Sequence, residues 1–127
     1  MPKILLVEDE EILRDAFSLI LSTLPYEADT APNGETALKM CLTSEYDLIL
    51  LDLMMPVMNG VEFLEAYTEK VNTSKTKVII MSNLSSSRLL ENALEYNIHR
   101  TLLKSDIAPE EFIALINEEL NPPTKVS

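Results

Sequence analysis

The sequence predicts one three-layer α/β domain, a parallel sheet of five strands covered by helices on both faces. Three observations carry that reading. Short apolar runs alternate with amphipathic segments along the whole chain, the rhythm of repeated strand–helix units. The runs are almost continuously apolar, as strands buried on both faces require. At 127 residues the chain has room for one ordinary domain with a sizeable core.

The first strand is read over Lys3 to Val7 and ends abruptly in Glu8, Asp9, Glu10 and Glu11. Glu10 and Glu11 suit the positive end of a helix dipole. The first helix follows to about Leu24: Leu13, Ala16, Phe17, Ile20 and Leu24 recur at helical spacing, while Arg14, Asp15 and Ser18 lie off that stripe. Pro25 stops it. Tyr26 to Thr30 is short and mixed in polarity, which places the second strand at an edge. Pro32, Asn33 and Gly34 then turn the chain into a second helix that buries Ala37, Leu38, Cys41 and Leu42.

The third strand, Asp47 to Asp52, is the most apolar and therefore central. A third helix starts near Gly60 with Val61, Leu64 and Tyr67 inward, and the β-branched run Lys77 to Ser82 is the fourth strand. The fourth helix is read from about Ser86 to Tyr96 and the fifth strand from Arg100 to Lys104. The fifth helix, Pro109 to Leu120, has proline at its first position. The domain is thus expected over residues 1–120, with 121–127 a flexible tail.

Composition narrows the function. Net charge is −11, from 21 acidic and 10 basic residues, which repels the phosphate backbone of nucleic acids and argues against direct binding to them. Cys41 is the lone cysteine, so neither a disulfide framework nor a cysteine zinc site can be built, and its place on a helical stripe makes it a small core residue. No apolar run is long enough to span a bilayer and no signal segment opens the chain, so a cytoplasmic setting is expected. His99 is read as an ordinary surface or turn residue, and Met54, Met55 and Met58 as cover for the core edge.

In an open parallel sheet, ligands bind beyond the carboxyl ends of the strands. The polar residues collect at those ends: Glu8 and Asp9 after the first strand, Asp52 closing the third, Ser82 the fourth and Lys104 the fifth. A solvated acid at one strand end is common; acid, acid, hydroxyl and ammonium from four strands at one rim are not. Carboxylates brought this close repel one another, and a hard divalent cation relieves the repulsion. Mg²⁺ keeps water positions free for phosphate oxygens, so the set describes a phosphoryl-transfer site with Asp52 as the in-line nucleophile.

From residue 3 to residue 120 the chain resembles the receiver domains of two-component response regulators. The likeness rests on Ile4-Leu5-Leu6-Val7-Glu8-Asp9, the Asn33-Gly34 turn, the block from Asp52 through Pro56 to Gly60, the hydroxyl of Ser82, and Lys104. It implies a flavodoxin-like fold with strand order 2-1-3-4-5. It further implies that Asp52 accepts a phosphoryl group from a histidine kinase or phosphotransfer protein. Mg²⁺ would be held by Asp9, Asp52 and the backbone carbonyl of Met54, with Glu8 acting through a water. Lys104 and Ser82 would meet the acyl phosphate, and the face made by the fourth helix, fifth strand and fifth helix would change for a downstream protein, an appended output domain or a second copy. Such a domain is a signalling module rather than an enzyme, with only intrinsic phosphorylation and dephosphorylation chemistry.

Four residues depart from that pattern. Thr101 stands where the family has an aromatic switch residue, and Asn83 where it has a small one. Ser105 replaces the proline of a cis peptide, a geometry that costs about 2.5–4 kcal/mol without proline, so a trans or strained bond is expected there. Asn97 replaces a glycine and tolerates a left-handed conformation. Thr101, Asn83 and Ser105 support the alternative of a degenerate receiver that binds partners without phosphorylation, against which the complete acid, serine and lysine set argues. A nucleotide- or flavin-binding relative is disfavoured because the chain contains only Gly34 and Gly60, too few for a phosphate-cradling loop. An aspartate phosphatase would carry a second acid two residues past the nucleophile, where this chain has Met54.

Overall fold

Side-chain parity on the central strands divides the core. In the computed structural model, which describes residues 2–71, 75–83, 87–104 and 107–120, Ile4, Leu6, Leu48, Leu50, Ile79 and Met81 face one side of the sheet. Leu5, Val7, Ile49, Leu51, Val78 and Ile80 face the other. The elements in order are β1 (Lys3–Val7), α1 (Glu11–Leu21), β2 (Glu27–Ala31), α2 (Gly34–Thr43), β3 (Leu48–Asp52), α3 (Gly60–Lys70), β4 (Lys77–Ser82), α4 (Ser87–Ala93), β5 (Arg100–Leu103) and α5 (Pro109–Leu120). The strands pair in parallel in the order β2-β1-β3-β4-β5, so β3 is central and β2 is an edge, as the composition of each required. Phe17 and Leu21 of α1 and Phe112, Leu115 and Ile116 of α5 cover the first face. Ala37, Leu38 and Cys41 of α2, Phe63, Leu64 and Tyr67 of α3, and Ala93 of α4 cover the second.

Several boundaries and stripes differ from expectation. Helix α1 stops at Leu21 rather than Leu24, because the chain turns through Ser22 to Leu24 on carbonyls of the last helical turn. Ala16 and Leu42, assigned to buried stripes, are exposed, while Phe63, which sequence spacing passed over, is fully buried and stacks on Tyr67 at 5.3 Å. Helix α4 ends at Ala93, short of Tyr96. Gly34 is the first residue of α2 and not part of the turn; Asn33 caps the helix by accepting from the Thr36 N–H at 2.9 Å. Gly34 is needed for close approach, since a Cβ there would lie 2.7 Å from the Met58 carbonyl oxygen. Asn97 is not left-handed; among the described non-glycine residues only Val57 has positive φ. The Ser105 peptide and residues 121–127 lie outside the described residues.

His99 is more than a turn residue. With Lys77 and Arg100 it surrounds the buried carboxylate of Glu119 near the end of α5: His99 Nε2 lies 2.5 Å and Lys77 Nζ 3.5 Å from Oε2, and Arg100 Nη2 lies 3.2 Å from Oε1. Lys77 also donates to the Glu119 carbonyl at 2.9 Å. A carboxylate at a helix C-terminus opposes the dipole, and the charges of Lys77 and Arg100 offset it. Among the described residues, no helix is long and apolar enough to cross a membrane.

Candidate functional site

Sheet register builds the acidic pocket. Val7 pairs with Leu51, so one step further along the strands Glu8 stands beside Asp52, on the same side of the pleat, with Asp9 next. Ligand oxygens of Glu8, Asp9 and Asp52 lie within 4.8 Å of one another. Glu8 and Asp52 are buried and Asp9 is half-buried. Lys104, just past the end of β5, brings its ammonium 2.5 Å from Glu8 Oε1 and 3.4 Å from Asp52 Oδ2. Glu8 Oε1 has this ion-pair contact but no aligned hydrogen bond, while Oε2 accepts from the Glu10 N–H at 3.2 Å.

Charge balance in the pocket is incomplete. Burial pushes the Asp52 carboxyl up from 3.8 to about 7; the Glu8 charge adds to that, and Lys104 pulls it only part of the way back. For Lys104 itself, burial works against the charge, yet the Glu8 and Asp52 carboxylates outweigh it and hold the ammonium above its ordinary range. Among the described residues, the Lys104 ammonium thus contacts two of the three carboxylates, those of Glu8 and Asp52. An all-oxygen donor set with surplus negative charge and an oxygen lacking an aligned donor fits a small hard cation such as Mg²⁺.

The loop after Asp52 is tightly fixed. Gly60 N–H donates to the Leu53 carbonyl at 3.0 Å, and a Cβ at Gly60 would lie 2.6 Å from the Asp52 carbonyl oxygen. Asn59 and Glu62 form a capping box that starts α3 immediately afterwards. Within the loop, Met58 N–H donates to the Pro56 carbonyl at 2.7 Å around Val57, whose φ is 69°, a tight and strained γ-turn. The three methionines divide: Met54 is exposed, while Met55 and Met58 pack on the core.

Lys104 touches Glu8 and Asp52, and Asp9 lies beside them; Ser82, one step past the Asp52–Met81 pairing, is buried at the end of β4 with its Oγ donating to the Leu102 carbonyl of β5 at 3.5 Å. Asn83 beside it is half-buried, and Thr101 stands exposed on β5, opposite Ile80. Sequence reading passed over Arg14, which returns from the first turn of α1 to donate from Nη1 to the carbonyls of Glu8 at 3.0 Å and Asp9 at 3.4 Å. Its only signal was a cation one turn into a helix that begins with acids.

Known proteins share this frame. The family model for the response regulator receiver domain matches residues 4–117. The response regulator ArlR of Staphylococcus saprophyticus is 36% identical over 94% of this chain and 53% of its own length, and the transcriptional regulatory protein LnrK of Bacillus subtilis is 35% identical over 82% and 47%. The chain thus spans about half the length of these curated relatives. Among solved structures, the chemotaxis response regulator CheY4 of Vibrio cholerae superposes with a TM-score of 0.83 at 28% identity, covering 94% of this chain and 99% of that one. The response regulator TrrA of Thermotoga maritima, solved in complex with Mg²⁺–BeF, gives 0.79 at 30% identity, over 94% and 100%. With the strand order, the acidic rim and the family match in agreement, the chain belongs to the receiver-domain family of response regulators.

Proposed function

We propose that this receiver domain accepts a phosphoryl group on Asp52, in an Mg²⁺-dependent reaction, from a histidine kinase or phosphotransfer protein. The observation that carries the reading is the meeting of Glu8, Asp9 and Asp52 within 4.8 Å, with the Lys104 ammonium against Glu8 and Asp52. An Asp52 carboxylate oxygen attacks phosphorus in line; the new O–P bond forms as the donor's P–N bond breaks, and the donor imidazole leaves with the electron pair. The product is an acyl phosphate. Asp9, Asp52 and the Met54 carbonyl would hold Mg²⁺, with Glu8 acting through a water. Bound there, the ion supplies charge neutralisation for the carboxylates and the phosphoryl oxygens.

The protein's own groups do the rest. Lys104 already touches Asp52 and needs only to turn from that carboxylate to a phosphoryl oxygen. Ser82 holds the Leu102 carbonyl at the long limit of a hydrogen bond, so exchanging it for a phosphoryl oxygen costs little. That exchange frees a carbonyl of β5 next to Thr101. With no ring at Thr101 to swing inward, movement of the β5 backbone is the route by which the α4–β5–α5 face would change for a downstream partner, an appended output domain or a second copy.

Exposed Ile12 of α1, with Met54 and Val57 of the β3–α3 loop, lies on the segments that directly follow the site strands and would give a phosphodonor an apolar rim to dock against. We assign residues 1–120 to the receiver unit and a cytoplasmic setting to the reaction. Intact mass after incubation with acetyl phosphate and Mg²⁺ tests the acceptor: a phosphoryl adduct is expected on wild type and absent from Asp52→Asn. Equal labelling of the two proteins would overturn the assignment. Solution mass with and without beryllofluoride would then show whether the altered face pairs two copies.

A further inference from the structure

We infer that Arg14 is a positioning residue for the cation pocket, tying the backbone of Glu8 and Asp9 so that both carboxylates stay turned toward Asp52. The inference rests on reading that pocket as an Mg²⁺ site. Two cations lie against the acidic residues, and they contact different atoms. Lys104 takes carboxylate oxygens, Glu8 Oε1 and Asp52 Oδ2, and so competes with an incoming ion. Arg14 bonds the Glu8 and Asp9 carbonyls through one nitrogen, at 3.0 and 3.4 Å, supporting the acidic residues from the backbone side.

The segment it holds has few other restraints. Glu10, the residue before α1, makes no side-chain capping bond, and its own N–H reaches Glu8 Oε2 only at 3.2 Å. Upstream, Glu8 N–H is fixed to the Ala31 carbonyl at 3.0 Å; downstream, Arg14 N–H joins the helix through the Glu10 carbonyl at 2.8 Å. The guanidinium therefore closes a loop between the first turn of α1 and the end of β1, across the residue that contributes Asp9. A planar guanidinium is preorganised to hold two acceptors, whereas a lysine ammonium on a flexible stem holds such a pair less firmly.

Titration of Mg²⁺ alone into wild type, Arg14→Met and Arg14→Lys, followed by calorimetry and by backbone amide shifts of residues 8–10, tests the assignment. Groups that orient metal ligands without touching the metal typically change affinity by about tenfold or more, so Arg14→Met should bind Mg²⁺ about tenfold more weakly, with Arg14→Lys falling between it and wild type. In acetyl phosphate labelling, the apparent KM for Mg²⁺ should rise while the rate at saturating Mg²⁺ stays near wild type. If Arg14→Met fails to fold, Arg14→Lys decides: weaker binding supports the tie, and wild-type binding overturns it, because charge alone would then suffice. Wild-type affinity in a folded Arg14→Met overturns this inference only, whereas a wild type that takes up no Mg²⁺ overturns the reading of the pocket beneath it.

Discussion

Val57 shows what a single residue contributes to the loop that leaves Asp52. A β-branched side chain at φ 69° is strained, and residues held in the left-handed region cost on the order of 1–3 kcal/mol. Val57 is 72% exposed, so its side chain returns little packing for that cost. Replacement by glycine, which has no Cβ and takes positive φ without steric cost, should stabilise the protein by up to about 1 kcal/mol, measured as a higher urea midpoint at unchanged slope. An unchanged or lower midpoint would show that the γ-turn is not strained. The sequence around Val57 announced a loop, through Pro56 and Gly60, but not which residue would take the positive φ, because hydrogen bonding from Met58 N–H to the Pro56 carbonyl decides that. Arg14 was hidden for a similar reason: off a helical stripe it reads as a solvated cation, and only the fold shows its guanidinium turning back to the strand.

At the scale of elements, the β3–α3 junction is where fold and site share the same atoms. Gly60 has an ordinary backbone conformation, so its requirement is space: the nearest atoms to an added Cβ are the Asp52 oxygen at 2.6 Å and, from Leu53, Cδ2 at 2.8 Å and Cα at 2.9 Å. Two of these are backbone atoms and cannot step aside as a flexible side chain would. Gly60→Ala should therefore cost about 1–3 kcal/mol in thermal or urea unfolding and displace Asp52, lowering acetyl phosphate labelling further than the loss of folded protein explains. Labelling that falls only in proportion to folded protein would separate the glycine from the site. Strands such as Lys77–Ser82 were legible to the residue, since a continuous apolar run bounded by polar groups has one reading. Helix ends were less so. Leu24 continues the spacing of α1, yet the chain turns away at Ser22, and Ala16 fits the stripe while facing outward because the helix buries a narrower strip around Phe17 and Leu21.

Across the whole molecule, buried carboxylates near the two rims of the sheet are treated in opposite ways. Among the described residues, Glu119 is matched by Lys77, His99 and Arg100, while Glu8 and Asp52 share Lys104 and stand beside the Asp9 carboxylate. The acidic rim was readable from strand ends alone because β-strand register carries Glu8 to Asp52; the Glu119 cluster was not, because its partners come from β4, the turn before β5 and β5 itself, meeting on the last turn of α5. The acidic rim should consequently destabilise the fold when no divalent cation is present. Asp52 has its carboxyl raised from 3.8 to about 7, so between those values the unfolded chain releases a proton that the folded chain retains. Stability contributed by this group is thus full below about pH 4 and is lost as pH rises toward 7, by at most about 4 kcal/mol at 1.36 kcal/mol per unit. In EDTA at pH 7, Asp52→Asn should be more stable than wild type, and the gap should close toward pH 4; taking the difference of the two proteins cancels most of the pH response of the other 20 acids carried by both. Mg²⁺ at pH 7 should raise the wild-type urea midpoint more than that of Asp52→Asn. If Asp52→Asn is instead the less stable protein at pH 7 in EDTA, the aspartate is already satisfied by Lys104, and the pocket has no unmet charge for a cation to answer.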